Sequence, residues 1–485
     1  MYRGFEQIMI GRGALDGLVI TPRICGICGT SHLTAASRAL DMIAGAALPA
    51  NAVRIRNVAL MAEHIQNHVR QSFLMFTADF TNPAYQDCPL FEEAVRRYEP
   101  FTGETVIEVV KQTKKILEII AIVGGQWPHS AYMVPGGIAS APGSGDISQC
   151  RLLLKGFRNW YEHRILGCSL ERWSTVQSAS DLDTWLEEAE RHRESDLGFF
   201  IRFARKIGLD AIGQGYGNYI SYGSLELPEG TQVRGVKRGD GQKQADAGHF
   251  IPAGFAQGTQ VDEFNQQNVS EHVAYSWFVD YEGGKHPSEG ETRPYASGKG
   301  NEKYSWAKAP RYAGLPAETG PLAEEIVAGN PLFTDLVRPN GPSVFTRQLA
   351  RLVRPVELLP AMDTWLTEIA SEETFYISPG EIREGEGFGL TEGARGALGH
   401  WVRIENGEIA QYQIITPTAW NASPRDSSGM RGPWEEALIG TKIADPSNPV
   451  ELGCIVRSFD ACLVCTVHAM TCGHQVGRVT VSDMP

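Results

Sequence analysis

Two CxxC clusters near opposite ends of this chain constrain its fold more than any other feature. The first runs Arg23-Ile-Cys25-Gly-Ile-Cys28-Gly-Thr-Ser-His32, the second Asp460-Ala-Cys462-Leu-Val-Cys465-Thr-Val-His468. Two thiolates separated by two residues can converge on one metal, and a nearby histidine adds a ligand or a hydrogen bond to sulfur. Soft thiolates favour nickel, iron, zinc or copper(I) over magnesium or calcium. On these rules alone, a structural zinc site and a redox site are both open. Small zinc modules keep their cysteine pairs within about twenty residues of each other. Here the pairs bracket almost the whole of a 485-residue chain, so the ends close on a buried functional centre rather than a stapled finger. Neither cluster follows a βαβ pattern, which argues against a thioredoxin-type pair.

Bulk properties exclude more than they assign. Length alone suggests about three domains. The composition, 42% hydrophobic and 21% charged, is that of a soluble globular protein. A net charge of -13 argues against nucleic-acid binding, because phosphate backbones need a basic footprint. No apolar run of about eighteen residues predicts a membrane span. The N-terminus lacks a charged-then-apolar signal architecture, so the chain is expected in the cytoplasm, or at a membrane only through a partner. Nine cysteines are thinly spread for a disulfide framework, and Cys88, Cys150, Cys168, Cys454 and Cys472 read as structural or free.

Residues 51–80 carry an apolar stripe, Ile55, Val58, Ile65, Val69, Phe73, Phe76 and Phe80, at helical spacing behind Pro49. Segments 104–122, 147–166 and 182–207 also read as helices, anchored by Trp160 and Trp185. Residues 344–370 do too, with Pro355 and Pro360 expected to break or kink them. From 212 to about 310 the texture turns Gly- and Tyr-rich, predicting short strands and long loops; a further strand-like patch spans Trp401–Thr416. No linker divides these regions. The expectation is an α+β, predominantly α fold forming one integrated unit over 1–468. Its helical core occupies about 31–210 and 344–400, small sheets are peripheral, and metal-binding ends lie at 23–32 and 460–468.

The clusters resemble the RxCGxCxxxH and DPCxxCxxH signatures of the [NiFe]-hydrogenase large subunit, with Ala461 in place of proline. Other segments resemble that family in its order: Tyr2-Arg-Gly-Phe-Glu6, Lys303–Tyr312, Glu318–Ala323, Glu392–His400 and Tyr412–Asn421. The resemblance implies that Cys25 and Cys462 bind nickel terminally while Cys28 and Cys465 bridge nickel and iron. It implies CO and two cyanides on iron, a cyanide nitrogen being received at Pro417 and Thr418. Arg395 would stand above the metals, paired with Asp460 and with Asn67 nearby at a position where the family usually has Asp. His32 would donate to a bridging sulfur. Glu6, the carbonyl region of Ile414 and His468 would hold magnesium. Ile27 and Met75 would line the gas channel.

The implied activity is heterolytic cleavage of H2 into protons and electrons, in the uptake direction. No cysteines remain for an electron wire, so an iron–sulfur small subunit is the implied partner. A maturation protease cutting after His468 and metal-insertion chaperones are implied as well, with Ala469–Pro485 as the peptide removed. The family's proton-relay glutamate lies on a strand upstream of residue 1 in this numbering. A hydrogen-sensing subunit of the same fold, a complex I-like structural subunit and a zinc-stabilised scaffold are the alternatives. Retention of all four cysteines disfavours the second.

Overall fold

Three N-terminal helices seat the first cysteine cluster on the core. In the computed structural model, residues 3–228, 248–295, 302–369 and 373–461 are described, with the backbone alone for 466–471 and 474–480. Phe5–Met9 forms α1, Gly29–Ala44 forms α2, and Ala50–Arg70 forms α3 behind Pro49. The apolar stripe of α3 is wholly interior: Ile55, Val58, Ile65, Phe73, Phe76 and Phe80 are each 0% exposed. Past Arg70 the helical path widens into a π turn, Gln71–Phe76, and then tightens through Thr77–Thr81. That change of pitch keeps Phe73, Phe76 and Phe80 pointing inward. Phe80 stacks on Phe203 with ring centroids 4.5 Å apart.

Around α3 pack α4 (Glu104–Gly124), itself covered by α5 (Ser144–Trp160). The segment expected as one helix over 182–207 is three, Ala179–Glu188, Glu190–Glu194 and Asp196–Lys206. Ala189 is extended (φ -151°), and Ser195 caps the third piece by accepting from the Gly198 N–H. The region after 212 holds longer strands than expected. Asn218–Glu226 (β1) and His249–Gln257 (β2) are nine residues each and pair antiparallel, with Gln260–Asp262 (β3) at the edge. A second small sheet is built from Val269–His272 (β4), flanked by Gly284–Lys285 (β5) and Ala309–Tyr312 (β6).

Pro321–Val327 (α6) leads to Val344–Val353 (α7) and Pro355–Glu368 (α8). Pro355 does end one helix and start the next. Pro360 lies inside α8, only half-buried, and does not terminate it.

The expected helical core over 344–400 is wrong beyond Glu368. Gly385–Gly393 (β7), Gly396–Glu405 (β8) and Glu408–Ile415 (β9) form an antiparallel meander. Glycine explains why the helical reading fails there. A Cβ at Gly387 or Gly389 would collide with the backbone of Ala39 or Ala35, so β7 lies directly on α2. Pro417–Asn421 (α9) and Val450–Ser458 (α10) complete the body. The backbones of Thr466–Thr471 (β10) and His474–Thr480 (β11) pair antiparallel, His468 opposite Arg478. No described helix is long and apolar enough to cross a membrane.

Candidate metal centre

The first cysteine pair sits where a 3-10 turn, Thr21–Ile24, gives way to α2. Cys25 is extended (φ -142°, ψ 133°), and Cys28 occupies the position immediately before the first turn of α2. Gly29 follows in a tight space, where a Cβ would lie 3.0 Å from the Pro22 carbonyl oxygen. The Ile27 N–H reaches Cys25 Sγ at 3.4 Å. The two thiols share a hydrogen bond, which with burial pushes Cys28 well up, while the Arg395 guanidinium pulls it down. Arg3 donates to the Ile24 carbonyl, tying the start of the chain to the residue before Cys25.

Arg395 lies at the tip of the β7–β8 hairpin, whose register pairs Gly393 with Gly396. Gly396 has φ +119°, and a Cβ would strike Thr319 and the Gly320 amide. Thr319 also accepts from the Ala397 N–H at 2.7 Å, so the hairpin tip is pinned to the start of α6. Arg395 Nε donates to Asp460 Oδ1 at 3.0 Å, and Asn67 Nδ2 donates to Asp460 Oδ2 at 2.8 Å. Arg395 is 5% and Asp460 2% exposed. Asp460 is left-handed (φ 54°), a conformation Asp tolerates better than most residues. The end of α10 is held in turn by Gln71 Nε2 on the Arg457 carbonyl (2.7 Å) and Arg351 on the Ser458 carbonyl (3.1 Å). Arg395, Asp460 and Asn67 are therefore brought together as the sequence motifs suggested.

His32 faces a second buried histidine. Its Nδ1 is 3.0 Å from His400 Nε2, and His400 Nδ1 is 2.9 Å from the Tyr412 hydroxyl. With Tyr412 donating and both rings neutral, the remaining proton of His32 sits on Nε2. Burial pushes His32 down to about 4 and His400 well below its usual value, so both stay neutral near pH 7. His400 and Tyr412 lie inside the motifs Glu392–His400 and Tyr412–Asn421, which imply no role for either.

Glu63, fully buried on α3 in the same helical stretch as Asn67, has a role that the sequence motifs do not assign. Its carboxylate accepts from the Thr30 N–H (2.7 Å), the Ser31 N–H (2.9 Å) and the Ser31 hydroxyl (2.5 Å). Burial pushes it up to about 7 against the pull of those donors. One residue on, His64 donates from Nε2 to the Glu392 carbonyl at 3.1 Å.

Pro417 opens α9, where Thr416 accepts from the Ala419 N–H at 3.2 Å; Thr418 is the next residue of the same turn. Asn421 locks this helix to the loop before α6, accepting from the Thr319 N–H (2.9 Å) and donating to its carbonyl (3.0 Å).

Glu6 and Ile414 also come together, through the Ile414 N–H rather than its carbonyl, at 2.8 Å. Thr292 donates to Glu6 as well. Beside them Lys308 bonds Gln413 Oε1 (2.7 Å) and Glu271 (3.3 Å). Burial works against its ammonium, but Glu271 and Glu6 prevail and raise its pKa. Glu6, Glu271, Thr292, Lys308 and Ile414 border a cavity of about 80 Å³.

Cys462, Cys465 and Cys472 lie outside the described residues, as does the side chain of His468. Among the described residues no three His, Cys, Asp or Glu side chains are grouped to hold a metal ion, and Cys88, Cys150, Cys168 and Cys454 are free thiols. The described half of the cysteine set fits a soft transition metal: two thiols in contact, next to a buried guanidinium.

Residues 3–86 and 201–468 match the nickel-dependent hydrogenase family. The periplasmic [NiFeSe] hydrogenase large subunit of Desulfomicrobium baculatum is 31% identical over 513 residues, covering 97% of this chain and 88% of that one. The uptake hydrogenase large subunit of Rhodobacter capsulatus is 30% identical over 549 residues, covering 97% and 90%. Among solved structures, the H2-activated [NiFeSe]-hydrogenase of Dm. baculatum superposes with a TM-score of 0.77 at 27% identity, covering 95% of this chain and 91% of that one. The reduced Ni-Fe-Se hydrogenase of D. vulgaris Hildenborough gives 0.75 at 29% identity, with the same coverage. With its paired thiols, buried arginine and likeness along nearly its whole length, this chain belongs to the nickel-dependent hydrogenase family, as a catalytic large subunit with nickel and iron in its active site.

Proposed function

We propose that the chain oxidises H2 in the uptake direction on a nickel–iron centre held by Cys25, Cys28, Cys462 and Cys465. Cys25 and Cys462 would hold nickel, and Cys28 and Cys465 would hold nickel and iron together, with CO and two cyanides completing the iron. The observation that carries this reading is the chain Arg395–Asp460–Asn67, built next to the Cys25–Cys28 pair from three distant parts of the sequence. When bound, the metals supply the open position where H2 is polarised and the capacity to take its two electrons.

The protein's own groups do the rest. Arg395 would supply a fixed positive charge beside the metals, while Asp460, itself held by Asn67, fixes the angle of the guanidinium. The proton released is received on a terminal thiolate, Cys462 Sγ, since a guanidinium that stays protonated is a poor base. His32, oriented by His400 and Tyr412, would donate from Nε2 to a cysteine sulfur of the centre and temper its charge. The turn at Pro417 and Thr418 offers an amide and a hydroxyl to a cyanide nitrogen.

A hard cation, magnesium, is held near Glu6, Ile414 and His468. The carboxylates of Glu6 and Glu271 and the oxygens of Thr292 and Gln413 support this, being the oxygen donors such an ion takes. The electrons leave through an iron–sulfur small subunit in a heterodimer. Ala469–Pro485 is a maturation peptide removed by a protease after metal-insertion chaperones have acted.

Purification with the small subunit under anaerobic conditions provides the test. H2-dependent dye reduction should be present in the wild-type complex and abolished in Cys25→Ser and Cys462→Ser. Activity surviving either substitution at more than a few per cent would refute the ligand set.

A further inference from the structure

The first four N–H groups of an α-helix need acceptors from outside the helix. Most helices obtain one from the residue just before the first turn, whose side-chain oxygen accepts from the second or third amide. In α2 that residue is Cys28, which makes no side-chain cap and whose thiol is engaged with Cys25 instead. Its sulfur accepts from none of the first amides of α2. The acceptor comes from another element: the second and third amides of α2, Thr30 and Ser31, are both taken by Glu63 of α3.

Glu63 does not stand alone. Asn67, one turn later on α3, donates to Asp460, two residues before Cys462. His64 donates to the carbonyl of Glu392 on the strand that leads to Arg395. Ser31, fixed by Glu63 through both amide and hydroxyl, also abuts that strand, since a Cβ on Gly393 would lie 3.2 Å from its oxygen. Three residues within five positions of one buried helix therefore reach the first cysteine turn, the arginine hairpin and the approach to the second cysteine pair.

We propose that Glu63 is a positioning residue of the metal centre: it supplies the cap of α2 that Cys28 does not, fixing the turn that carries Cys28, and with Asn67 it makes α3 the common rest for both cysteine pairs. The inference depends on the ligand assignment proposed above. Glu63 touches neither metal nor H2 in this account; it acts through the position of Cys28 and His32.

Glu63→Gln is the deciding variant. It preserves volume, but its amide offers an acceptor on one side only and sets a donor against one of the two N–H groups. In the anaerobic heterodimer the account predicts shifted CO and cyanide infrared bands and an altered nickel EPR signal. It also predicts roughly a tenfold fall in kcat with KM for H2 within about twofold, the size typical of losing a group that orients a metal ligand. Glu63→Ala should do the same more strongly. Unmoved bands with kcat within about twofold of wild type in Glu63→Gln would overturn the proposal. So would activity loss that only tracks a lower melting temperature, with the loaded fraction spectroscopically identical to wild type. Absence of CO and cyanide bands from the wild-type heterodimer would instead sink the ligand assignment, so the two failures are distinguishable.

Discussion

Arg395 donates its Nε–H to Asp460 at 3.0 Å, joining a hairpin tip to the end of a helix 65 residues further on. Neither group could be buried without the other. An isolated charge in this interior would cost several kcal/mol, and breaking a buried pair by removing one partner typically costs about 3–5 kcal/mol. The pair therefore works as a latch: the guanidinium is in place only when the end of α10 has docked.

Replacing Arg395 with lysine keeps the charge but loses the planar fork. The Arg395→Lys enzyme should retain nickel and iron while its H2-dependent dye reduction falls roughly a hundredfold, the scale seen when one preorganised donor is lost. Activity within about threefold of wild type would show that the guanidinium geometry is unimportant.

Gly389 is where β7 meets the backbone of Ala35 on α2, the helix that begins at Cys28 and carries His32. Gly389→Ala forces strand and helix apart, and overpacking of this kind typically costs about 1–3 kcal/mol. Lower melting temperature together with reduced nickel content is the expected result. A fully loaded variant of unchanged stability would contradict the packing described.

Burial, with help from the Arg354 charge, pushes His64 down to about 3 from an unfolded value of 6.5. The unfolded chain then binds a proton that the folded chain refuses. His64 thus contributes stability that is complete above pH 6.5 and is lost as the pH falls towards 3. Between pH 7.5 and 5.5 wild type should lose about 1.4 kcal/mol relative to His64→Asn, measured by chemical denaturation of both, since other titrating groups cancel in the comparison. Parallel stability curves for the two proteins would refute a neutral buried His64.

Phe80 closes the aromatic cluster with Phe203, Phe200 and Tyr98. Truncation to alanine should destabilise the protein by about 3–5 kcal/mol. Because the site lies elsewhere, the specific activity of the folded fraction should stay close to wild type, checked by activity per bound nickel.

Much of the centre was legible in the sequence because its parts are short motifs whose side chains carry the chemistry. Arg395, Asp460 and His32 fall inside short motifs that mark them, Asn67 stands in a polar run of a helix, and the structure brings Arg395, Asp460 and Asn67 together. The role of Glu63 was not legible for a physical reason: two of its three donors are backbone amides of another helix, and backbone amides leave no mark in a sequence. The α3 stripe was legible because seven apolar residues kept helical spacing across a change of pitch. The meander over 385–415 was partly missed because β7 uses glycine where strands usually use branched or aromatic residues. Its glycines serve close approach to α2, a tertiary demand that no local pattern expresses. The longer strands β1 and β2 were underestimated for a related reason, being broken up in sequence by Gly223 and Gly254.

The central claim is that both ends of the chain close on one nickel–iron site. Metal analysis and infrared spectroscopy of the anaerobically purified heterodimer test it most directly. The account predicts nickel in a 1:1 ratio to the iron left after the small subunit's clusters are subtracted, with one CO band and two cyanide bands. Zinc in the large subunit, or a spectrum without those bands, would contradict it.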